Sequence, residues 1–489
     1  MDQKKAPAAT GTQKTSVVTS YDDKPPAVKH PFSFDPRSAL ERASHRNDIV
    51  DGVTPRNSLT YLVGPPGTLK TFVVVSLMAH VAAGRPWFGH DTEKARVLYI
   101  AGEGGDDIHF RRAAVEAQLK ESLPVAIVQE APLLDSAAGA ERYRYLLEIF
   151  SNPVPRIHPY TMTVACALER DEDETIQQEE VSRRDFLYTR RSDVEKKLHD
   201  DPVAVSSQWI ESLEAVDTIR EIPPELQDEC ELHIHDVYLS DNFLYPEDAV
   251  KDALADLRRY RDSVQIARSL EAIGDDPNER RPVMVIVDTY SQIATNDEPG
   301  TVSKVNKILL TAAQSMPVDV STIIVDHTTK SGDTWNGSQH KMGDADVMVW
   351  TTREKDIVNV SCKKMRSGPA FEPIDLMARV TTLEGYADAK GRPIRTLILQ
   401  DGTQAAKIAR AAGGRNTAAG IILEILTDST GRELDRETLR DSFYQSPAND
   451  KKSEDTVKRN FNRALAALIE DEVLIEQNAG QVLQFPQPP

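Results

Sequence analysis

Gly64-Pro65-Pro66-Gly67-Thr68-Leu69-Lys70-Thr71 constrains this chain more than any other stretch. An apolar run, residues 59–63, precedes it and has the length of a buried strand; a longer one, residues 72–83, follows and is stopped by Gly84. Strand, glycine-bearing loop ending in Lys-Thr, then helix is the context in which backbone N–H groups wrap a phosphate chain at the positive end of a helix. In that reading Gly64, Pro65, Pro66, Gly67, Thr68, Leu69, Lys70 and Thr71 bind ATP. Lys70 reaches the β- and γ-phosphates and the Thr71 hydroxyl holds Mg²⁺. Leu69 departs from the pattern, standing where its last glycine belongs. The competing reading is a Pro-Gly turn that happens to carry a lysine.

A chain of 489 residues exceeds one ordinary core, so two or three domains are expected. No apolar stretch is long enough to span a bilayer, and the polar, basic start lacks the apolar centre of a signal peptide. Cys166, Cys230 and Cys362 are too scattered for a metal-ligand spacing, which points to a reducing, cytoplasmic setting without membrane partners. A net charge of −19 argues against a protein that coats DNA, although a few basic loops gathered in an oligomer would still bind it.

The expected fold class is α/β. Residues 1–30, rich in Ala, Thr, Lys and Pro, read as a disordered tail. Strands are expected at 96–101, 125–129, 282–287 and 321–325, with helices at 108–120, 136–150 and 302–315, a rhythm that makes a parallel sheet covered on both faces. This domain is taken as residues 31–410. Residues 151–231, with the acidic run 169–174 and the pairs Arg183-Arg184 and Arg190-Arg191, interrupt the rhythm as a largely helical insertion. The rhythm resumes with a strand at 232–239 and a helix at 246–270. His233 and His235 share a face there but lack further ligands, so no metal beyond nucleotide-bound Mg²⁺ is expected.

Residues 283–288, Val-Met-Val-Ile-Val-Asp, form an apolar strand ending in Asp288, which would hold Mg²⁺ through water beside Thr71. Thr289 occupies the place of the glutamate that many AAA+ ATPases use as general base. Glu103, between glycines after strand 97–101, is the candidate base instead, its alternative being a surface residue of a polar turn. His327, at another strand end, would sense the γ-phosphate, its alternative being an ordinary polar strand terminus. The stretch 330–341, with Lys330 and Lys341, has the composition of an exposed loop suited to a nucleic-acid backbone, or of an ordinary surface loop.

The order of phosphate loop, Glu103, Asp288, His327, Gly337-Ser338 and Ala345-Asp346-Val347 resembles the RecA-like ATPases of the RepA type, hexameric plasmid and phage DNA helicases related to DnaB. The resemblance covers residues 35–385 apart from the insertion. It implies a RecA-like P-loop domain in a homo-oligomeric, hexameric ring with ATP between subunits. It further implies that Lys364-Met365-Arg366, after the strand at 357–362, enters the neighbour's site, with Arg366 as an arginine finger. A solvated basic turn is the alternative for Lys364 and Arg366. The family's work is translocation on single-stranded DNA during replication of a plasmid, phage or mobile element. A non-motor ATP switch in regulation or defence, or a recombination or repair mediator, are the other functions considered.

After 411–414, taken as a linker, residues 415–489 read as a C-terminal winged helix: helices at 418–426, 435–443 and 453–470, then a hairpin around 478–480. Lys458, Arg459 and Arg463 share the polar face of the third helix, where nucleic acid would be contacted. A protein partner, docking there or on the insertion, is the other expectation.

Overall fold

The computed structural model describes residues 48–102, 105–157, 183–221, 247–328, 340–413, 417–429, 432–450, 452–478 and 480–486. The tail at 1–30, Glu103, the acidic run 169–174, Cys166, Cys230, the strand expected at 232–239 with His233 and His235, Lys330 and Gly337-Ser338 lie outside the described residues.

A nine-stranded sheet in the order β3-β2-β4-β5-β1-β6-β7-β8-β9 organises the chain. The strands are β1 (Leu59–Gly64), β2 (Arg96–Ala101), β3 (Val125–Val128), β4 (Val283–Asp288), β5 (Val320–His327), β6 (Val347–Glu354), β7 (Ile357–Met365), β8 (Ile374–Ala387) and β9 (Pro393–Asp401). From β3 to β6 every neighbouring pair is parallel, and from β6 to β9 every pair is antiparallel. The central strands are mostly apolar because both their faces are covered. On one face Val97, Tyr99, Met284, Ile286, Ile323 and Val325 pack against α1 (Lys70–Ala83) and α2 (Asp107–Leu119). On the other, Leu98, Ile100, Val285, Val287 and Ile324 meet α3 (Ala137–Ser151) and α7 (Pro299–Gln314).

Helix ends follow local chemistry. Gly84 closes α1 in the left-handed conformation at φ 66°, its N–H donating to the carbonyls of His80 and Val81. Ser136 caps α3 by accepting the Gly139 N–H at 3.0 Å.

Three helices, α4 (Arg183–Asp200), α5 (Pro202–Glu221) and α6 (Glu247–Ala272), share a small core of Val194, Leu198, Trp209, Ile210, Leu213, Leu254 and Leu257. The Tyr145 hydroxyl of α3 donates to Asp262 of α6 at 2.6 Å and ties this group to the sheet.

Beyond α8 (His340–Asp344), β9 runs into α9 (Thr403–Ala412). Residues 411 and 412, expected in a linker, are thus the end of a helix that Gly413 caps at φ 55°. Arg410 of α9 holds buried Asp375 with two contacts of 2.7 Å, while Ile408, Ala411 and Ala412 pack on the C-terminal core. That core joins α10 (Ala418–Asp428), α11 (Arg436–Tyr444) and α12 (Glu454–Glu470) to a three-stranded sheet of β10 (Glu433–Asp435), β12 (Val482–Gln484) and β11 (Ile475–Gln477).

Candidate functional site

Parallel strands carry their C-terminal ends to one edge of the sheet, and the register sets the residues of that edge side by side. Ala101 of β2 pairs with Asp288 of β4, Asp288 with Val325 of β5, and His327 of β5 with Gly64 of β1. The phosphate loop therefore opens next to the ends of β4 and β5, the crevice in which open α/β sheets bind ligands.

Gly64 admits no side chain: a Cβ there would lie 2.3 Å from Thr351 Oγ1 and 2.5 Å from the Thr351 carbonyl. Thr351, on β6, donates to the Val63 carbonyl at 3.1 Å and lies 3.0 Å from Thr68 Oγ1, while Thr68 donates to the Pro65 carbonyl at 2.9 Å. These hydroxyls brace the loop from inside. Gly67 has φ +82°, which suits glycine. Leu69 has φ 62° and ψ 30°, so the residue in the glycine position keeps the left-handed backbone that explains the usual glycine. Its side chain offsets part of that strain by packing on the core under α1.

Lys70 is 6% exposed and folds over the loop, donating to the carbonyls of Gly64 at 2.9 Å and Pro65 at 3.1 Å. His327 Nδ1 stands 3.2 Å from Lys70 Nζ. An ammonium only donates, so Nδ1 accepts and the ring proton falls on Nε2, an assignment made from the hydrogen bond. Thr71 occupies the first turn of α1. Asp288 is 3% exposed and accepts the Tyr99 hydroxyl at 2.7 Å. Burial, reinforced by the Asp288 charge, pushes the Tyr99 hydroxyl well above its ordinary pKa, so it stays a donor. Gly102, next to Glu103, donates its N–H to the Asp288 carbonyl at 2.8 Å; a Cβ at Gly102 would fall 2.2 Å from Gln292 Cβ. Arg111 of α2 lies 4.8 Å from the Phe72 ring centroid, adding a cation beside the first turn of α1.

Lys341 corrects the sequence reading. It is 0% exposed, so it does not offer a charge to a nucleic-acid backbone. Its Nζ lies 2.7 Å from Asp326 Oδ2 and 2.6 Å from Asp297 Oδ1, and 3.8 Å from the Tyr290 ring centroid. Two carboxylates and a ring draw the ammonium inward, and that attraction outweighs the solvation its sequence neighbourhood suggests.

Lys364 and Arg366 stand apart from the phosphate loop of the same chain. The register sets Met365 beside Val347 and Val347 beside Thr60, which is four residues back from Gly64 along β1. Lys364 Nζ donates to the carbonyls of Met342 at 2.5 Å, Gly343 at 3.2 Å and Ala345 at 2.6 Å, closing the end of α8. Burial, followed by the Arg366 charge, lowers the Lys364 pKa. The half-exposed Arg366 side chain pairs with Asp346 at 2.9 Å and donates to the Gly343 carbonyl at 2.9 Å. On α12, Lys458, Arg459 and Arg463 are exposed, opposite buried Val457, Phe461, Leu465 and Leu468.

Thr351, Tyr99, Asp326 and Asp297 were not singled out in the sequence. Tyr99 carried a signal, a hydroxyl in the middle of β2, and so did Asp326, a carboxylate at the end of an apolar stretch. Among the described residues no helix is long and apolar enough to cross a membrane.

Residues 24–149 match the family model described as an AAA domain, a span that takes in the phosphate loop, β2 and most of α3. No curated protein matches the chain. Among solved structures, a KaiC-like protein from the hyperthermophilic archaeon Pyrococcus horikoshii OT3 is 11% identical, with 73% of this chain and 99% of that one covered and a TM-score of 0.29. A superposition that loose does not establish a shared fold.

Proposed function

We propose that this chain is a RecA-like P-loop ATPase that hydrolyses ATP with Mg²⁺. The observation that carries the reading is the contact of 3.2 Å between Lys70 of the loop and His327 of β5, at the sheet edge that also presents Asp288. A lysine in a chance turn has no reason to meet a histidine at the end of the neighbouring strand. Lys70 and the N–H groups at the start of α1 bind the phosphates; Thr71 and Asp288 would hold Mg²⁺, which offsets phosphate charge when bound. His327, with its proton on Nε2, donates toward the γ-phosphate and couples its loss to β5. Glu103 orients the attacking water, and Arg366 reaches the site of a neighbouring subunit, in keeping with its distance from its own loop.

Translocation on single-stranded DNA by a hexameric ring is the work this reading favours, with Lys330 and the exposed Lys458, Arg459 and Arg463 of a winged-helix module contacting the strand. The burial of Lys341 removes one expected DNA contact and favours keeping a second reading, an oligomeric ATP switch that binds protein. Particle mass and ATP turnover, measured together with and without single-stranded DNA, separate the two. A motor forms a ring and turns over faster on DNA, and Lys330→Ala loses that stimulation. A monomer indifferent to DNA contradicts the motor.

A further inference from the structure

The ion cluster around Lys341 is placed where the proposed site needs rigidity. Asp326 precedes His327 on β5 and uses both carboxylate oxygens: Oδ2 takes the Lys341 ammonium at 2.7 Å and Oδ1 takes the His327 backbone N–H at 2.8 Å. His327 Nδ1 in turn meets Lys70. On the other side Lys341 grips Asp297 and lies against Tyr290, both in the segment that follows Asp288. One buried ammonium thus spans the end of β5 and the segment after β4. Desolvating it is costly, and a well-packed apolar trio of the same volume would serve stability as well or better. What the charges add is a fixed direction for the carboxylate, and with it a fixed His327 backbone.

We propose that Lys341 is a positioning residue for ATP hydrolysis, holding Asp326 so that His327 is aimed at Lys70 and the phosphate site. This rests on the ATPase reading above. It acts through Asp326 and His327.

The test uses Lys341→Met, His327→Ala and the double variant in the full chain, with kcat and equilibrium ATP affinity measured separately. Lys341→Met is expected to lower kcat about tenfold, the scale of coupling between contacting residues, with ATP affinity changed less than about threefold. In the His327→Ala background it has no further effect. Effects that multiply in the double variant, or a loss confined to affinity, overturn the proposal. Imidazole ¹⁵N shifts, with His327→Ala assigning the signal, give a readout independent of turnover. The parent holds His327 as the single Nε2–H tautomer, and Lys341→Met releases it to a mixture; an unchanged tautomer overturns the proposal. If the parent hydrolyses no ATP, the ATPase reading fails while the tautomer still decides the positioning role. Should Lys341→Met not fold, Asp326→Asn, which keeps an acceptor for the His327 N–H, carries the same expectations and the same refutations.

Discussion

Leu69 sets up a substitution series in which the residue of like volume harms and the deletion of the side chain does not. At φ 62° an L-residue costs about 1–2 kcal/mol relative to its right-handed conformation. Glycine at this position removes that cost. It also loosens the unfolded chain, at about 0.5–1 kcal/mol, and gives up a partly buried leucine worth some fraction of the ~1.5–3 kcal/mol of full burial. The three contributions nearly cancel, so Leu69→Gly should leave stability within about 1 kcal/mol of the parent. Leu69→Ile keeps the volume, a swap that costs under ~1.5 kcal/mol in a core. Its β-branch at positive φ, however, pushes the backbone out of the left-handed region and turns the N–H groups at the start of α1 away from the phosphates. Because each 1.4 kcal/mol is about tenfold in binding, Leu69→Ile should weaken nucleotide affinity about tenfold and Leu69→Gly by less than about threefold. Titration with a fluorescent ATP analogue and Mg²⁺, beside thermal melts, measures both. Parent-like binding by Leu69→Ile, together with a tenfold loss in Leu69→Gly, would refute the reasoning.

Three further outcomes follow from buried polar contacts. Asp275→Ala leaves the Arg96 guanidinium, 1% exposed, without its carboxylate partner at 3.0 Å; denaturant unfolding should show a loss of about 3–5 kcal/mol. Tyr99→Phe removes the donor that fixes Asp288, and the Mg²⁺ concentration for half-maximal turnover should rise about tenfold. Burial raises the Asp326 pKa and the Lys341 charge opposes that rise, so Lys341→Met raises it further. A carboxyl with a raised folded-state pKa favours folding below its unfolded value and loses that contribution as pH climbs through the folded value. The stability deficit of Lys341→Met should therefore be small in acid and widen toward neutral pH, as urea melts across pH would show; a constant deficit would count against Asp326 as the group left unpaired.

The strand, loop and helix around Lys70 and the central strands were legible because their signals are local. β1, β2 and β4 are buried throughout, so each is written mostly in apolar residues, with Thr60 within β1, Arg96 at the start of β2 and Asp288 at the end of β4. β8 and β9 gave less: past Ala378 much of β8 is exposed, and its residues alternate weakly between core and solvent. Lys341 was misread because its burial is decided by Asp326 and Asp297, 15 and 44 residues away in sequence. Thr351 was silent for the same reason, since its value to the loop comes from β6 lying beside β1. Leu69 stands out as a departure from the motif in sequence; its backbone takes the left-handed conformation that glycine adopts freely, which leucine adopts at a cost.

Phosphate release from ATP and Mg²⁺ by the parent and by Lys70→Ala tests the central claim most directly. The Lys70 ammonium is the group that folds over the loop and meets His327. The account predicts steady hydrolysis by the parent and a loss of at least about a hundredfold in Lys70→Ala, in the range for removing a group aimed at developing transition-state charge. Equal rates for the two proteins would contradict it.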